Sequence, residues 1–354
     1  MRLTRHAVLS AATALLTVTG TATATAAATS PAPTAAPPAP GVIKVIATIL
    51  VGAAPRAVAV NPKTNTIYVG NTGDGLSVIS GRTNTVVATV PVGSAEFGVA
   101  VNSKTDTVYA TNPTANIVSV INGRTNTVVA TVPVGELPTG VAVNPKTNTI
   151  YVANLGTRED RGDTVSVING RTNTVVDTVH VGTAPSAIAV NPKTNTIYVV
   201  NSFDDTVSVI NGRTDRVVAT VPVGAIAMDA AVNPKTNTVY VTNADDNTVS
   251  VISGRTNAVV ATVPVGRGPF GVAVNPKTNT VYVADGFADT VSVISGRINS
   301  VAATVPVGSK PFAVAANQKT NTVYVTNTDD GTVSVLVPAG EQPPTAQLPT
   351  ADNR

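Results

Sequence analysis

Apolar and polar positions alternate in short blocks along most of the chain, and the apolar blocks are rich in Val, Ile, Thr and Tyr. In one stretch the blocks are Phe270 to Val274, Thr280 to Ala284, Thr290 to Ile294 and Ser300 to Val307, separated by turn-forming residues. β-Branched and aromatic residues bounded in this way predict short strands joined by tight turns. Because both faces of these strands are apolar, each predicted sheet needs neighbours on both sides.

The four-strand pattern recurs along the chain and is marked by the motif Asn-Pro-Lys-Thr-Asn-Thr or a close variant. The motif begins at Asn61, Asn102, Asn144, Asn191, Asn233, Asn275 and Asn317. Successive copies are about 42 residues apart, and a fixed period of this size is typical of solenoids and propellers.

The two ends of the repeat array distinguish an open stack from a closed ring. The segment Ile43 to Gly52 matches the fourth strand of a unit, whereas the last unit stops after its third strand, Thr332 to Leu336. An open solenoid needs polar caps at both ends, but closing the ring pairs both exposed edges. The sequence therefore predicts an all-β fold over residues 42–337. It is a seven-bladed β-propeller of four-stranded antiparallel blades, in which the N-terminal strand completes the last blade.

The second strand of each unit carries a tetrapeptide of the form Tyr-Val-Thr-Asn. It is literal at Tyr240 to Asn243 and at Tyr324 to Asn327, and close variants begin at Tyr68, Tyr109, Tyr151, Tyr198 and Tyr282. In these residues the chain resembles the YVTN-repeat β-propeller family over nearly the whole repeat region. The resemblance implies the propeller fold and a secreted or surface-layer-associated bacterial or archaeal protein. It is weak for function, because the wider relatives include lactonases and haem or quinone oxidoreductases.

The segments outside the repeats predict export. Residues 1–28 have the basic start, apolar run and small residues of a secretory signal peptide. Residues 29–41 form a Pro/Ala-rich linker, and residues 338–354 are expected to be a disordered tail. The apolar run is too short to span a membrane. We therefore expect a secreted protein that is extracellular or associated with the cell surface. We also expect a monomer without a transmembrane segment.

Composition narrows the chemistry. The chain has no Cys or Trp, and one of its two His, His6, lies in the predicted signal peptide. The other, His180, falls in an outer strand, so no His pair is available for a metal, a haem or a catalytic triad. We predict no cofactor, no metal site and no catalytic residue. The seven Tyr share one repeat position, which favours packing between blades.

If the first strand of each unit is innermost, two sets of turns share one face, here called the bottom face. These are the turns between strands one and two and between strands three and four, and both are basic. The first set carries Lys63, Lys104, Lys146, Lys193, Lys235, Lys277 and Lys319. The second set carries Arg82, Arg124, Arg171, Arg213, Arg255 and Arg297.

The basic bottom face has two interpretations. It predicts binding of an anionic envelope polymer or nucleic acid through counterion release. The candidate contacts are Lys63, Arg82, Lys146, Arg171, Lys235 and Arg255. Alternatively, these side chains only keep the repeated turns soluble.

The opposite, top face is where the copies differ. Five residues before each repeat Asn stand Arg56, Phe97, Thr139, Ser186, Met228, Phe270 and Phe312. Together with Asp229, these side chains are expected to rim the central channel and to form a ligand-binding mouth. The alternative is that the Phe side chains plug the channel against water.

Acids concentrate in the loops between strands two and three, which also belong to the top face. They are Asp74, Glu159, Asp160, Asp163, Asp204, Asp205, Asp245, Asp246, Asp285, Asp289, Asp329 and Asp330. One of these loops, residues 155–163, is longer than the others by five residues. An insertion on one face of a repeat protein commonly marks the working face.

Two functional hypotheses remain open. The first is a secreted, non-catalytic binding module that takes a protein or a small ligand through the variable loops of the top face. The alternative is a small-molecule enzyme, resembling a lactonase or an ester hydrolase, with its chemistry at the channel mouth. Such an enzyme needs a base or opposed carboxylates, and the candidate acids are Asp229, Glu96 and Glu136.

Overall fold

The computed structural model describes residues 43–73, 75–93, 98–157 and 159–338. The predicted signal peptide, the linker and the chain after Pro338 lie outside these residues, as do Asp74, Glu96 and Phe97. The described residues form seven four-stranded sheets, the blades of a propeller. The first strands of neighbouring blades contact each other in a closed cycle, so they surround the central channel.

Each blade has an inner, a second, a third and an outer strand. The inner strands are β2 (Pro55–Asn61), β6 (Val99–Asn102), β10 (Pro138–Asn144), β14 (Pro185–Asn191), β18 (Ala227–Asn233), β22 (Pro269–Asn275) and β26 (Pro311–Asn317). The second strands are β3 (Thr66–Asn71), β7 (Thr107–Asn112), β11 (Thr149–Gly156), β15 (Thr196–Asn201), β19 (Thr238–Asn243), β23 (Thr280–Asp285) and β27 (Thr322–Asn327). The third strands are β4 (Gly75–Ser80), β8 (Ile117–Asn122), β12 (Arg161–Asn169), β16 (Thr206–Asn211), β20 (Thr248–Ser253), β24 (Thr290–Ser295) and β28 (Thr332–Pro338). The outer strands are β5 (Thr85–Val90), β9 (Thr127–Pro133), β13 (Thr174–His180), β17 (Arg216–Pro222), β21 (Ala258–Pro264), β25 (Ser300–Pro306) and β1 (Ile43–Leu50).

The ring closes where the sequence predicts. Strand β1 pairs antiparallel with β28, from Ile43 opposite Pro338 to Leu50 opposite Thr332. The strand order in this blade is β1-β28-β27-β26, and β26 contacts β2 of the first blade. The seven-bladed propeller completed by its N-terminal strand is therefore confirmed. Strand β28 extends to Pro338, one residue past the predicted boundary.

Seven apolar clusters lie between adjacent blades, and each contains one Tyr of a second strand. Tyr68, for example, packs with Val108 and Ile121 of the next blade. All seven Tyr are at most 2% exposed. Burial, with a smaller effect of the Asp106 charge, raises the pKa of Tyr68 to about 12. The prediction that these rings pack between blades is confirmed.

The repeated motif forms a ring of hydrogen bonds at the bottom face. The first Asn of each motif donates through Nδ2 to the side-chain oxygen of the fifth motif residue in the next blade. The pairs are Asn61–Asp106, Asn102–Asn148, Asn144–Asn195, Asn191–Asn237, Asn233–Asn279, Asn275–Asn321 and Asn317–Asn65, at 2.5 to 2.8 Å. The fifth residue has a positive φ, 58° at Asn65, which Asn and Asp tolerate well. The motif therefore fixes its own turn and also the contact between blades.

A second repeated Asn ends the second strand and is buried. In the fifth blade, Nδ2 of Asn243 donates to the hydroxyls of Thr248 and Ser250 at 2.9 Å each. In the sixth blade Asp285 takes this position, and the two equivalent hydroxyls donate to it instead. Asp285 is the last residue of β23 and is 0% exposed, so its assignment to the loop between the second and third strands was wrong. Burial raises its pKa to about 6 despite these hydrogen bonds.

Candidate functional site

The top end of the channel opens into a cavity of about 490 Å³. Seven of the eight residues predicted to rim the channel mouth line this cavity: Arg56, Thr139, Ser186, Met228, Asp229, Phe270 and Phe312. The eighth predicted residue, Phe97, lies outside the described residues. The cavity volume is in the range of small-molecule sites, roughly 300–1,000 Å³.

One wall of the cavity is a strip of aromatic rings that ends in a guanidinium group. The ring centroid of Phe270 lies 5.2 Å from those of both Phe287 and Phe312. The guanidinium carbon of Arg56 lies 5.7 Å from the Phe312 centroid, within reach of a cation–π interaction. The strip therefore crosses from the sixth blade through the seventh to the first. Of these rings, Phe270 and Phe312 line the cavity, and Phe287 packs against Phe270. The alternative that the Phe side chains plug the channel stays a prediction, because Phe97 lies outside the described residues.

Asp229 occupies a repeat position that is Gly or Ala in the other six copies. Its Oδ1 accepts a hydrogen bond from the Ala230 N–H at 2.8 Å, and its Oδ2 accepts one from the Val272 N–H of the next blade at 2.9 Å. Burial raises the pKa of Asp229 to about 6, and the two backbone hydrogen bonds oppose this rise. Asp229 is partly exposed and lines the cavity, and desolvation of its carboxyl group is the largest cause of the raised pKa.

The polar wall lies across the third, fourth and fifth blades. The Thr139 hydroxyl donates to the Pro185 carbonyl at 3.3 Å, and the Ser186 hydroxyl donates to the Met228 carbonyl at 3.2 Å. Each hydroxyl proton is therefore used to join its blade to the next. The hydroxyl oxygens keep lone pairs with which a bound molecule can interact.

Two aliphatic side chains outside the predicted channel mouth also line the cavity, Leu137 and Leu155. Leu137 lies in the turn before β10, with a φ of 49°. At this turn position the first and fourth blades carry Ala54 and Ala184, also with positive φ. The fifth, sixth and seventh blades carry Ile226, Gly268 and Lys310 there, and this variation between copies was the signal available in the sequence.

The longer loop of the third blade forms a hairpin extension of β11 and β12, with Gly156 opposite Arg161. The N–H groups of Leu155 and Gly156 donate to the carbonyls of Leu137 and Glu136 at 3.1 Å each. The Arg161 guanidinium carbon lies 3.3 Å from the ring centroid of Phe203 in the fourth blade. These contacts fix the hairpin beside the cavity and place Leu155 in its wall.

Several top-face acids hold the turns that connect the blades. Their carboxylates accept hydrogen bonds from backbone N–H groups of those turns, at 2.6 to 2.8 Å. The acceptor–donor pairs are Asp204–Thr183, Asp246–Ala225, Asp205–Ile226, Asp330–Ser309 and Asp289–Lys310. These acids therefore have a turn-forming role. Within the described ranges, no three His or acidic side chains converge as a metal site.

The basic residues of the bottom face fall into two groups. A central group lines one depression: Lys63, Lys235, Lys277 and Lys319. Of the other predicted contacts, Lys146 does not line this depression, and Arg82, Arg171 and Arg255 follow third strands in separate, more peripheral turns. The structure therefore brings together four Lys and keeps the Arg apart from them.

No known protein family matches the sequence, and no curated protein matches it. Among solved structures, the chain is similar to Kuenenia stuttgartiensis hydrazine synthase, with a TM-score of 0.73 and 20% sequence identity, over 81% of this chain and 96% of that chain. At this identity the likeness shows the fold alone. Membership of the YVTN-repeat family therefore stays a prediction. No helix in the described part of the chain is long and apolar enough to cross a membrane.

Proposed function

We propose that this propeller is a non-catalytic binding module that takes a small ligand in the top cavity. The observation that carries the proposal is where the repeats differ. The seven blades share one four-stranded antiparallel order, yet the residues five before the repeat Asn range from Arg56 through Ser186 to Phe270. Since the fold accepts all of them, the fold does not explain their identity. The six of them that the structure describes line one cavity of ligand size.

The chemistry of the cavity favours binding over catalysis. Both oxygens of Asp229 accept hydrogen bonds from backbone N–H groups. The Ser186 hydroxyl donates to a backbone carbonyl, so no described base activates it as a nucleophile. A raised pKa in a cleft is an indication of acid–base chemistry, and it keeps a hydrolase as the second candidate. In this structure, however, the same carboxyl group accepts a hydrogen bond from Val272 of the next blade. Asp229 therefore has a structural role between two blades that accounts for its burial.

We also propose that the protein acts outside the cell, either free or at the cell surface. The support is the basic, apolar and small-residue order of residues 1–28. N-terminal sequencing of the protein recovered from culture medium tests this, because a start close to Ala28 is expected. Protein that keeps Met1 and stays with the cells contradicts it.

The bottom face is a second candidate surface. Lys63, Lys235, Lys277 and Lys319 converge at the bottom of the ring. The ion pairs within the described ranges are His180–Asp163 and Lys310–Asp329, and neither includes these four Lys. Grouped cations of this kind attract polyanions. We propose an anionic envelope polymer as the ligand of this surface.

Thermal unfolding tests the proposal for the top cavity. A ligand that binds only the folded state raises the melting temperature. At a ligand concentration of 100 times its Kd, the free energy of unfolding rises by about 2.7 kcal/mol. We expect some members of a small-molecule library to raise the melting temperature of the wild type and not that of Arg56→Ala/Phe270→Ala. The matched control is Arg82→Ala/Ile298→Ala, which changes two exposed residues of the bottom-face turns, leaves the cavity lining intact and is expected to respond like the wild type. Ligands that stabilise all three proteins equally contradict the proposal.

A further inference from the structure

We propose that the ligand of the top cavity is a flat aromatic anion whose acidic group lies at Arg56 and whose ring lies against Phe312 and Phe270. This inference rests on the proposed function and specifies the class of ligand. It depends on the order of groups along one wall, on the apolar floor and on the distribution of charge.

The aromatic strip selects for a ring. Phe270 and Phe312 have centroids 5.2 Å apart with their planes tilted by 37°. Both are half-buried and line the cavity, so each has a surface that a ligand can cover. Aromatic side chains pair with a further ring in offset or edge-to-face geometry.

The floor of the cavity selects for an apolar body. Val58, Val141, Ile188 and Val314 of the inner strands line it, and Leu137 adds an apolar side chain from the turn before β10. A polar molecule would lose hydrogen bonds to water there without replacement. The ligand therefore has one polar end and a larger apolar part.

The distribution of charge decides the sign of the polar end. The charged side chains of the described lining are Arg56 and Asp229. Asp229 already accepts hydrogen bonds from two backbone N–H groups, so their dipoles offset part of its charge. A guanidinium has five N–H donors and can bind a carboxylate while it keeps another contact.

A cationic ligand fits this wall poorly. Aromatic faces attract cations, but the Arg56 guanidinium already lies 5.7 Å from the Phe312 centroid. A second positive charge on the same strip would be repelled by the first. The geometry therefore favours an anion at the Arg56 end of the strip.

Three matched probes test the inference: 2-naphthoate, the neutral 2-naphthylmethanol and the cationic 2-naphthylmethylamine. The chain has no Trp, so the naphthalene fluorescence is read without a protein indole background. We expect wild-type protein to bind one naphthoate, at least about tenfold more tightly than the alcohol, as a hydrogen-bonded charge pair implies. The amine is expected to bind most weakly. Arg56→Gln should remove the preference for the anion, and Arg56→Lys should keep part of it.

The control variant is Arg82→Gln, which removes a bottom-face charge and should leave all three affinities unchanged. Circular dichroism melting verifies that each variant is folded. If the alcohol or the amine binds as tightly as the naphthoate, and Phe270→Leu weakens that binding, the cavity is a ligand site but the inference about its ligand is overturned. If no probe binds, the inference is also overturned, and the thermal library screen alone decides whether the cavity binds ligands.

Discussion

Nδ2 of Asn317 donates a hydrogen bond to Oδ1 of Asn65 at 2.7 Å and so joins the last blade to the first. The same bond joins two interior blades at Asn191 and Asn237, at 2.6 Å. In each case the donating Asn also accepts a hydrogen bond from the N–H two residues later, at 3.0 Å. The closing interface is therefore built like the interior ones.

Replacement of Asn317 by Ala tests this equivalence. The variant loses the bond between blades and the bond within its turn, and it leaves the partly buried Oδ1 of Asn65 without that donor. We expect a loss of about 1–3 kcal/mol in the free energy of unfolding. Guanidinium unfolding of Asn191→Ala provides the matched interior value, which should be similar. A stable Asn317→Ala beside a destabilised Asn191→Ala would mean that the ring is not closed in solution.

Replacement of Asp285 by Asn should stabilise the protein in a pH-dependent way. The pKa of Asp285 is 3.8 as a reference and about 6 in the fold, so the folded chain keeps a proton that the unfolded chain has lost. The stability that the protonated group contributes is complete below about pH 4 and is lost as the pH rises through about 6. An Asn at this position cannot ionise. At pH 7.5 we expect a gain of roughly 2–3 kcal/mol, since each pKa unit is worth about 1.4 kcal/mol.

The reverse change in the preceding blade is the control for this prediction. Asn243 contacts the hydroxyls of Thr248 and Ser250, as Asp285 contacts those of Thr290 and Ser292. Asn243→Asp should therefore lose a comparable amount of stability at pH 7.5. Both differences should shrink towards zero at pH 4, as measured by denaturant unfolding. Equal effects at the two pH values would show that ionisation is not the cause.

Replacement of Asp229 by Ala separates the binding module from the hydrolase. The equivalent residues of the fourth and seventh blades are Ala187 and Ala313, so the fold accepts Ala here. We expect wild type and variant to hydrolyse aryl esters and lactones at the same background rate. A measurable wild-type turnover that falls at least tenfold in a folded Asp229→Ala would favour the enzyme.

Replacement of the central Lys group by Gln tests the bottom face. We expect the quadruple variant Lys63→Gln/Lys235→Gln/Lys277→Gln/Lys319→Gln to elute from a phosphate-bearing resin at lower salt than the wild type. Removal of phosphate contacts also lowers the salt dependence of binding. The control changes Arg82, Arg171, Arg213 and Arg255 to Gln, an equal loss of charge from the peripheral turns, and should elute later than the Lys variant. Coincident elution of the two variants would indicate a general charge effect without a site.

The repeat pattern was sufficient to predict the fold and its closure. Strand β23 is Thr280–Asp285, which is only one residue longer than the predicted block. The agreement is close because turn-forming residues mark the end of each strand. The burial of Asp285 was not predictable from charge, since it required knowing that the repeat Asn at this position faces the third strand. The cavity role of Leu137 was missed because a turn with a positive φ directs that side chain. Periodicity gives strand positions but not the directions of turn side chains.

The methyl group of Met228 provides the most direct test of the claim that the top cavity is the working site. The chain contains two Met, Met1 and Met228, and Met228 lines the cavity. In protein labelled with ¹³C-methyl methionine, Met228→Leu identifies the Met228 signal. We predict that molecules that raise the melting temperature also shift this signal saturably, with the same affinity. Molecules that bind and stabilise the protein while the Met228 signal stays in place would contradict the account.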